Sequence, residues 1–194
     1  MHGFSNKIAG TLDLQKIIRS VTRDLPPAIG VTSAALMVLE EKQSRLFPET
    51  LRFGKAPWPG SRLVKLMQDS SLSHFNVFQV IQDPGLEREI EEIQRSGFTL
   101  ILPLRTSKTL AGLLLLGPKG SGRLYTEADI LLLASFANQS AIALENAVHH
   151  ESLAQGKKQL EQMFDQKVQA EKMAAIGEMT SVLAHELKNP LGII

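Results

Sequence analysis

Phe98-Thr99-Leu100-Ile101-Leu102-Pro103-Leu104 and Leu110-Ala111-Gly112-Leu113-Leu114-Leu115-Leu116 are two apolar segments joined by the polar Arg105-Thr106-Ser107-Lys108-Thr109. Short apolar runs on either side of a polar turn read as a β-hairpin, and this is the clearest one in the chain. Just upstream, Leu86, Ile90 and Ile93 recur at helical spacing as far as Ser96-Gly97, where glycine suits a C-terminal cap. Just downstream, Gly117-Pro118-Lys119-Gly120-Ser121-Gly122 reads as loop. Thr126-Glu127-Ala128-Asp129 then has the form of a capping box, a threonine followed three residues on by an acid. It opens a long helix through Leu132, Phe136, Ser140, Ala143 and Ala147.

Toward the N-terminus, Leu12, Ile17, Ile18, Val21 and Leu25 share a helical face, and Pro26-Pro27 is expected to end that helix. Ala34 to Leu39 reads as a buried strand entering a turn at Glu40-Glu41-Lys42. Leu46 to Phe53 is its expected partner, with Pro48 a residue that sheets accept only at edges. Gly54 to Gly60, rich in proline and glycine, is loop. Ser61 caps a short helix through Gln68 whose one buried side is Leu63, Val64, Leu66 and Met67. Asn76 to Ile81 is an expected strand, closed by Asp83-Pro84-Gly85. Helix, strands, helices, hairpin and a long exit helix describe an α+β fold on an antiparallel sheet.

The last third of this region resembles the GAF family. The resemblance lies in Leu102-Pro103-Leu104, in Ala111-Gly112-Leu113-Leu114-Leu115-Leu116-Gly117, in Thr126-Glu127-Ala128-Asp129 and in Ala141-Ile142-Ala143-Leu144-Glu145-Asn146-Ala147. It implies a GAF/PAS-like antiparallel sheet with flanking helices, and a pocket over the sheet in which the family holds cyclic nucleotides, bilins, haem or small metabolites. A covalent bilin needs a cysteine, and the chain has none. The Asn-Lys-Phe…Asp-Glu pattern of cyclic-nucleotide GAF domains has no match, since Asn6-Lys7 precedes the domain. Haem needs an inward histidine, whereas His74 lies in a polar loop and His149-His150 at the exit of the long helix. Trp58, Phe75 and Phe78 suit core or pocket lining equally. The GAF ligand is left unknown, with a small molecule and a purely dimerising role both open.

The 194 residues suit one ordinary domain with an appended helix, and 43% hydrophobic residues is normal for a globular chain. A formal charge of +1 provides no basic field for nucleic acid. No apolar run approaches the ~20 residues needed to span a bilayer, and Met1 to Gly10 has no signal-peptide core. Without cysteine there is no disulfide and no zinc–thiolate site, and no metal site is expected. A cytoplasmic location is the default expectation.

The most informative stretch chemically is Ser181-Val182-Leu183-Ala184-His185-Glu186-Leu187-Lys188-Asn189-Pro190-Leu191. Ile176, Thr180, Leu183 and Leu187 form an amphipathic helical stripe. At roughly 100° per residue, His185 falls about 200° from both Leu183 and Leu187, on the side facing away from that stripe. Asn189 lies one turn on, and Glu186 is the immediate neighbour. Pro190 has no amide hydrogen for the carbonyl of Glu186, so the helix should bend or stop there. A carboxylate that holds the proton on one ring nitrogen leaves the other as a nucleophile.

Ala184-His185-Glu186-Leu187-Lys188-Asn189-Pro190-Leu191 resembles the phosphoacceptor box of two-component sensor histidine kinases. The resemblance implies that His185 takes the γ-phosphoryl of ATP and passes it to an aspartate of a response-regulator receiver domain. Glu186 would be the general base, and Asn189 would assist the kinase and phosphatase reactions. It further implies a homodimer, with ATP and Mg brought by a catalytic domain absent from this chain, so that this fragment should be inactive alone. The simpler alternative is a stand-alone ligand-binding or dimerising GAF module with no phosphotransfer.

Between the two regions, Leu153, Leu160, Lys167 and Ala174 repeat at seven, as do Met163, Ala170 and Gly177. That is a weak coiled-coil seam, and the stripe from Met173 onward has a different phase. The expected organisation is an N-terminal lead at 1–10, a GAF-like domain at 11–147 and a signalling helix at 148–172. The first part of a phosphoacceptor helix follows at 173–194, entering a dimeric helical bundle.

Overall fold

The structure, a computed structural model, describes residues 13–40, 44–51, 60–69, 72–79, 82–107 and 109–191; the side chains of 175, 178 and 181–191 lie outside that description. The chain divides into two units, Met1–His149 and His150–Ile194.

In the first unit the quoted hairpin is present as β4 (Leu100–Arg105) and β5 (Leu110–Leu116). Its register runs from Leu100↔Leu116 to Leu104↔Gly112, then shifts between Leu104 and Arg105. β1 (Ala34–Leu39) lies antiparallel on the other side of β5, from Ala34↔Leu116 to Val38↔Gly112. With β2 (Ser44–Phe47) and β3 (Phe75–Asn76) at the edges, the sheet has five strands in the order β2-β1-β5-β4-β3.

Side chains alternate across a strand, so β5 supplies both faces. Leu114 and Leu116 join Leu36, Val38, Leu100 and Leu102 in one core, and Leu113 and Leu115 join Ala35, Met37 and Ile101 in another. Each fully buried leucine contributes about 1.5–3 kcal/mol relative to exposure. This accounts for strands that are apolar at nearly every position rather than at every second one.

The first core is closed by the N-terminal helices and by the long C-terminal one. α1 (Leu14–Arg19) is capped by Asp13, whose carboxylate accepts from the amides of Gln15 and Lys16. The helix runs on through a π segment, Ser20–Asp24, into α2 (Leu25–Ile29). Contrary to the sequence expectation, Pro26-Pro27 does not end it. The π turn restarts the helix just ahead of the prolines, placing them in a first turn, where a missing N–H costs no hydrogen bond. Gly30, at φ +70°, makes the real stop.

The second core lies under α3 (Arg62–Asp69) and α4 (Pro84–Arg95). As expected, Ser61 caps α3, its hydroxyl accepting from the Val64 amide at 3.1 Å. Three upstream expectations change. β2 ends at Phe47 rather than Phe53, directly before Pro48, which has no amide to donate to a ladder. The strand expected over Asn76 to Ile81 is only Phe75–Asn76, because the Asn76 side chain accepts from the Phe78 amide at 3.0 Å and turns the chain at once. Asp83-Pro84 starts a helix rather than closing a strand: Asp83 accepts from the Gly85 and Leu86 amides, and Pro84 stands in the first turn. Leu12, Glu41-Lys42, Trp58 and Ile81 lie outside the described residues.

The long helix α5 (Glu127–Leu191) begins on the capping box as read from the sequence. The Thr126 amide donates to Asp129 at 2.8 Å, and the Asp129 amide donates to the Thr126 hydroxyl at 3.2 Å. Leu133, Phe136, Ala137, Ser140, Ala141, Leu144 and Ala147 face the sheet, whereas Leu132, placed on that face by the sequence reading, is 55% exposed. The buried line starts one residue later, at Leu133.

Lys119 also donates to the Asp129 carboxylate, at 2.6 Å. This bond, followed by those from Thr126, lowers its pKa to about 2 from an ordinary 3.8. A depressed carboxylate pKa stabilises the fold above the ordinary value, and that contribution disappears as pH falls through the folded value. The helix start should therefore lose support between about pH 4 and pH 2. In Lys119→Met the Asp129 carboxyl should titrate at higher pH, which carbon-detected NMR of the two proteins would show. An unchanged titration would remove Lys119 as the main cause.

Candidate functional site

Two regions are candidates, and they lie in different units. The first is the sheet face beneath α3 and α4. Leu63, Val64 and Met67 from α3 and Leu86, Ile90 and Ile93 from α4 are buried against Met37, Ile101, Leu113 and Leu115. The two helices are held to each other at their N-terminal ends. Glu89 of α4 accepts from the Arg62 and Leu63 amides of α3, each at 2.9 Å, satisfying donors that a helix start leaves without partners. The Arg62 guanidinium pairs with Asp83, whose pKa is lowered first by the Gly85 amide bond. Gln94 reaches from α4 to the Val77 carbonyl at 2.7 Å, next to β3.

On this face Phe75 is core, while Phe78 is 65% exposed and so lines nothing. His74 is half-buried, with Nδ1 3.1 Å from the Ser73 hydroxyl; His149 and His150 are exposed. Among the described residues no group of His, Cys, Asp or Glu is arranged to hold a metal ion. A small cleft on the other side of the sheet, lined by Ile29, Lys119, Tyr125, Asp129, Leu132 and Leu133, belongs to the start of α5. Tyr125 donates there to the Gly117 carbonyl, and burial pushes its phenol well above its ordinary pKa.

The second region is the distal part of α5. The backbone is helical without a break from Glu127 to Leu191, through His185, Glu186 and Asn189 and one residue past Pro190. The four-residue step from His185 to Asn189 is therefore one helical turn, with Glu186 adjacent to the histidine. The side chains of all three lie outside the described residues, as do those of Leu183 and Leu187.

Earlier on the same helix, apolar side chains stand in solvent: Leu153, Leu160, Met163, Phe164, Met173, Ile176 and Met179 are all exposed. Phe164 was not among the residues that the heptad reading selected, since it lies next to Met163, off the seven-residue lines. The Thr180 hydroxyl bonds back to the Ile176 carbonyl at 2.7 Å, and the pairs Lys157–Glu161 and Lys167–Glu171 bridge successive turns. Among the described residues no helix is long and apolar enough to cross a membrane.

Comparison with solved structures returns the same fold in proteins of different context. The GAF domain of the potassium sensor histidine kinase KdpD from Escherichia coli is 18% identical with a TM-score of 0.51, over 79% of this chain and 96% of that one. The GAF domain of a two-component sensor histidine kinase from Bacillus halodurans is 15% identical with a TM-score of 0.54, over 73% and 99%. The GAF domain of an Acinetobacter phosphoenolpyruvate-protein phosphotransferase is 15% identical with a TM-score of 0.53, over 76% and 92%. Identities this low carry the fold alone. No curated protein sequence matches the chain. The GAF domain profile matches residues 13–146, well over half of the sequence, and this chain belongs to the GAF domain family.

Proposed function

We propose that this chain is the sensor and phosphoacceptor-entry part of a cytoplasmic two-component sensor histidine kinase. The observation that carries the reading is the contiguous box from Ala184 to Leu191 on a backbone helical from Glu127 through Leu191. One helix thus begins in the GAF core and contains the candidate acceptor, so a change in the domain has a covalent route to His185. The GAF domains of two sensor histidine kinases among the structural neighbours are in keeping with that context.

In this reading the Glu186 carboxylate holds the proton on one nitrogen of His185 and the other nitrogen attacks the γ-phosphorus. The bond to the ADP oxygen breaks, and the phosphoryl group later passes to an aspartate of a receiver domain. Asn189, one turn on, assists the transfer and its reversal by water. ATP and Mg are supplied by a catalytic domain outside this chain. The exposed Leu153, Leu160, Met163 and Phe164 are covered by a second copy in a parallel homodimer, with 148–172 as the signalling helix and 173–194 opening the bundle.

The test is phosphorylation of the intact protein with ATP and Mg. An acid-labile phosphate should appear on His185 and vanish in His185→Gln. Glu186→Gln should slow its formation by about 100-fold or more, the usual effect of losing a positioned general base. A protein that dimerises but takes no phosphate, even with a kinase catalytic domain supplied, would be a stand-alone GAF module instead.

A further inference from the structure

The sheet separates two cores, and α3 and α5 lie on opposite sides of it. We infer that the β4–β5 turn is the coupling element between them, with Arg105 holding α3 and Thr106 and Thr109 holding α5 through Glu145. Consecutive residues of a strand point to opposite faces. At the end of β4 that alternation sends Arg105 to one helix and Thr106 to the other.

On the α3 side, the Arg105 guanidinium donates to the Met67 carbonyl. Met67 is fully buried and sits in the last turn of α3, where carbonyls have no partner within the helix. Arg105 thus caps that helix from the sheet. On the α5 side, both threonine hydroxyls converge on one oxygen of Glu145, Thr109 at 3.0 Å and Thr106 at 3.4 Å. The turn itself is tied across, the Thr106 amide donating to the Thr109 carbonyl at 2.9 Å and the Thr109 amide to the Thr106 hydroxyl at 3.1 Å.

Next to Glu145, Leu144 packs on Gly112 of β5, where an added Cβ would meet the leucine side chain at 3.4 Å. The helix lies against the strand just where the turn grips it. A movement of α3, the helix over the second core, therefore pulls on Arg105 and is passed through the Thr106–Thr109 tie to Glu145. Glu145 lies four residues before His149, the last residue of the first unit. That the far end of α5 turns this movement into output rests on the kinase reading; the coupling itself does not.

Amide hydrogen exchange on the 194-residue chain tests it. Arg105→Ala should raise exchange at residues 140–149 of α5 by about tenfold, and Glu145→Ala should do the same for α3, each acting across the sheet. Glu145→Gln and Thr109→Ser keep an acceptor and a hydroxyl, and should restore protection on both sides. If Arg105→Ala exchanges everywhere because the domain unfolds, Arg105→Lys, which keeps the charge but loses the planar fork, replaces it. Exchange that rises only on the face of the substituted side chain overturns the proposal. These readouts need no phosphate, so a failed phosphorylation test leaves them intact and a failed exchange test leaves the phosphoacceptor reading intact.

Discussion

One residue inserted beside Gly156 in the intact protein is expected, on the proposed kinase reading, to change phosphate incorporation at His185 by about tenfold or more, a coupling of ~1.4 kcal/mol. Seven residues inserted at the same place should leave it within about twofold, because two turns of an α-helix nearly restore the original face. A single insertion rotates everything beyond it by roughly 100°. The upstream seam of Leu153, Leu160 and Met163 and the downstream stripe of Met173, Ile176 and Thr180 already differ in phase. Their relative rotation is the proposed signalling variable, and all of them except Thr180 are large apolar side chains exposed in the single chain. Initial rates with ATP and Mg, measured on both insertion variants, decide it. Equal rates would mean that helix rotation does not carry the signal.

Gly112→Ala is expected to destabilise the GAF domain by about 3 kcal/mol, the upper end for overpacking a core. An added Cβ at Gly112 would stand 2.3 Å from the Met37 carbonyl oxygen, which belongs to the neighbouring strand and cannot swing aside. It would also reach Leu144 of α5 at 3.4 Å, so relief by moving the helix disturbs the first core. Gly120→Ala is the matched control, since its new carbon meets only the Gly30 carbonyl oxygen at 3.5 Å. Urea unfolding followed by circular dichroism compares the two. If they unfold at the same concentration, β1, β5 and α5 are not packed as tightly as described.

The two interior strands of the hairpin, β1 and the start of α5 were legible in the sequence because each is fixed by local chemistry. Apolar runs bounded by Arg105–Thr109 or Gly117–Gly122, and the Thr126/Asp129 box, need no knowledge of the rest of the chain. Elements decided by competition were less so. Pro26-Pro27 breaks an ordinary helix but fits one that restarts after a π segment, and nothing in Ser20–Asp24 announces that segment. Asn76 begins the expected strand but is the last residue of β3, because its side chain bonds the Phe78 amide. Asp83-Pro84 serves as readily for a helix start as for a turn, and Leu132 and Leu133 differ only in which of two adjacent leucines meets the sheet. The grip of Glu145 on Thr106 and Thr109 joins residues 36 and 39 positions apart, beyond the reach of periodicity. For the candidate phosphoacceptor box the sequence supplies residue types and spacing, and the helical backbone converts spacing into turns.

The division of the sheet into two cores has a consequence for how this domain tolerates change. Leu113 and Leu114 are chain neighbours with no exposure, yet each belongs to a different cluster. Substituting both should therefore add up almost independently, whereas Leu113 with Met67, or Leu114 with Leu144, should not. Side by side on β5, they are mutational strangers. A lineage can thus repack the core under α3 and α4 while the core that anchors the start of α5 keeps its old furniture.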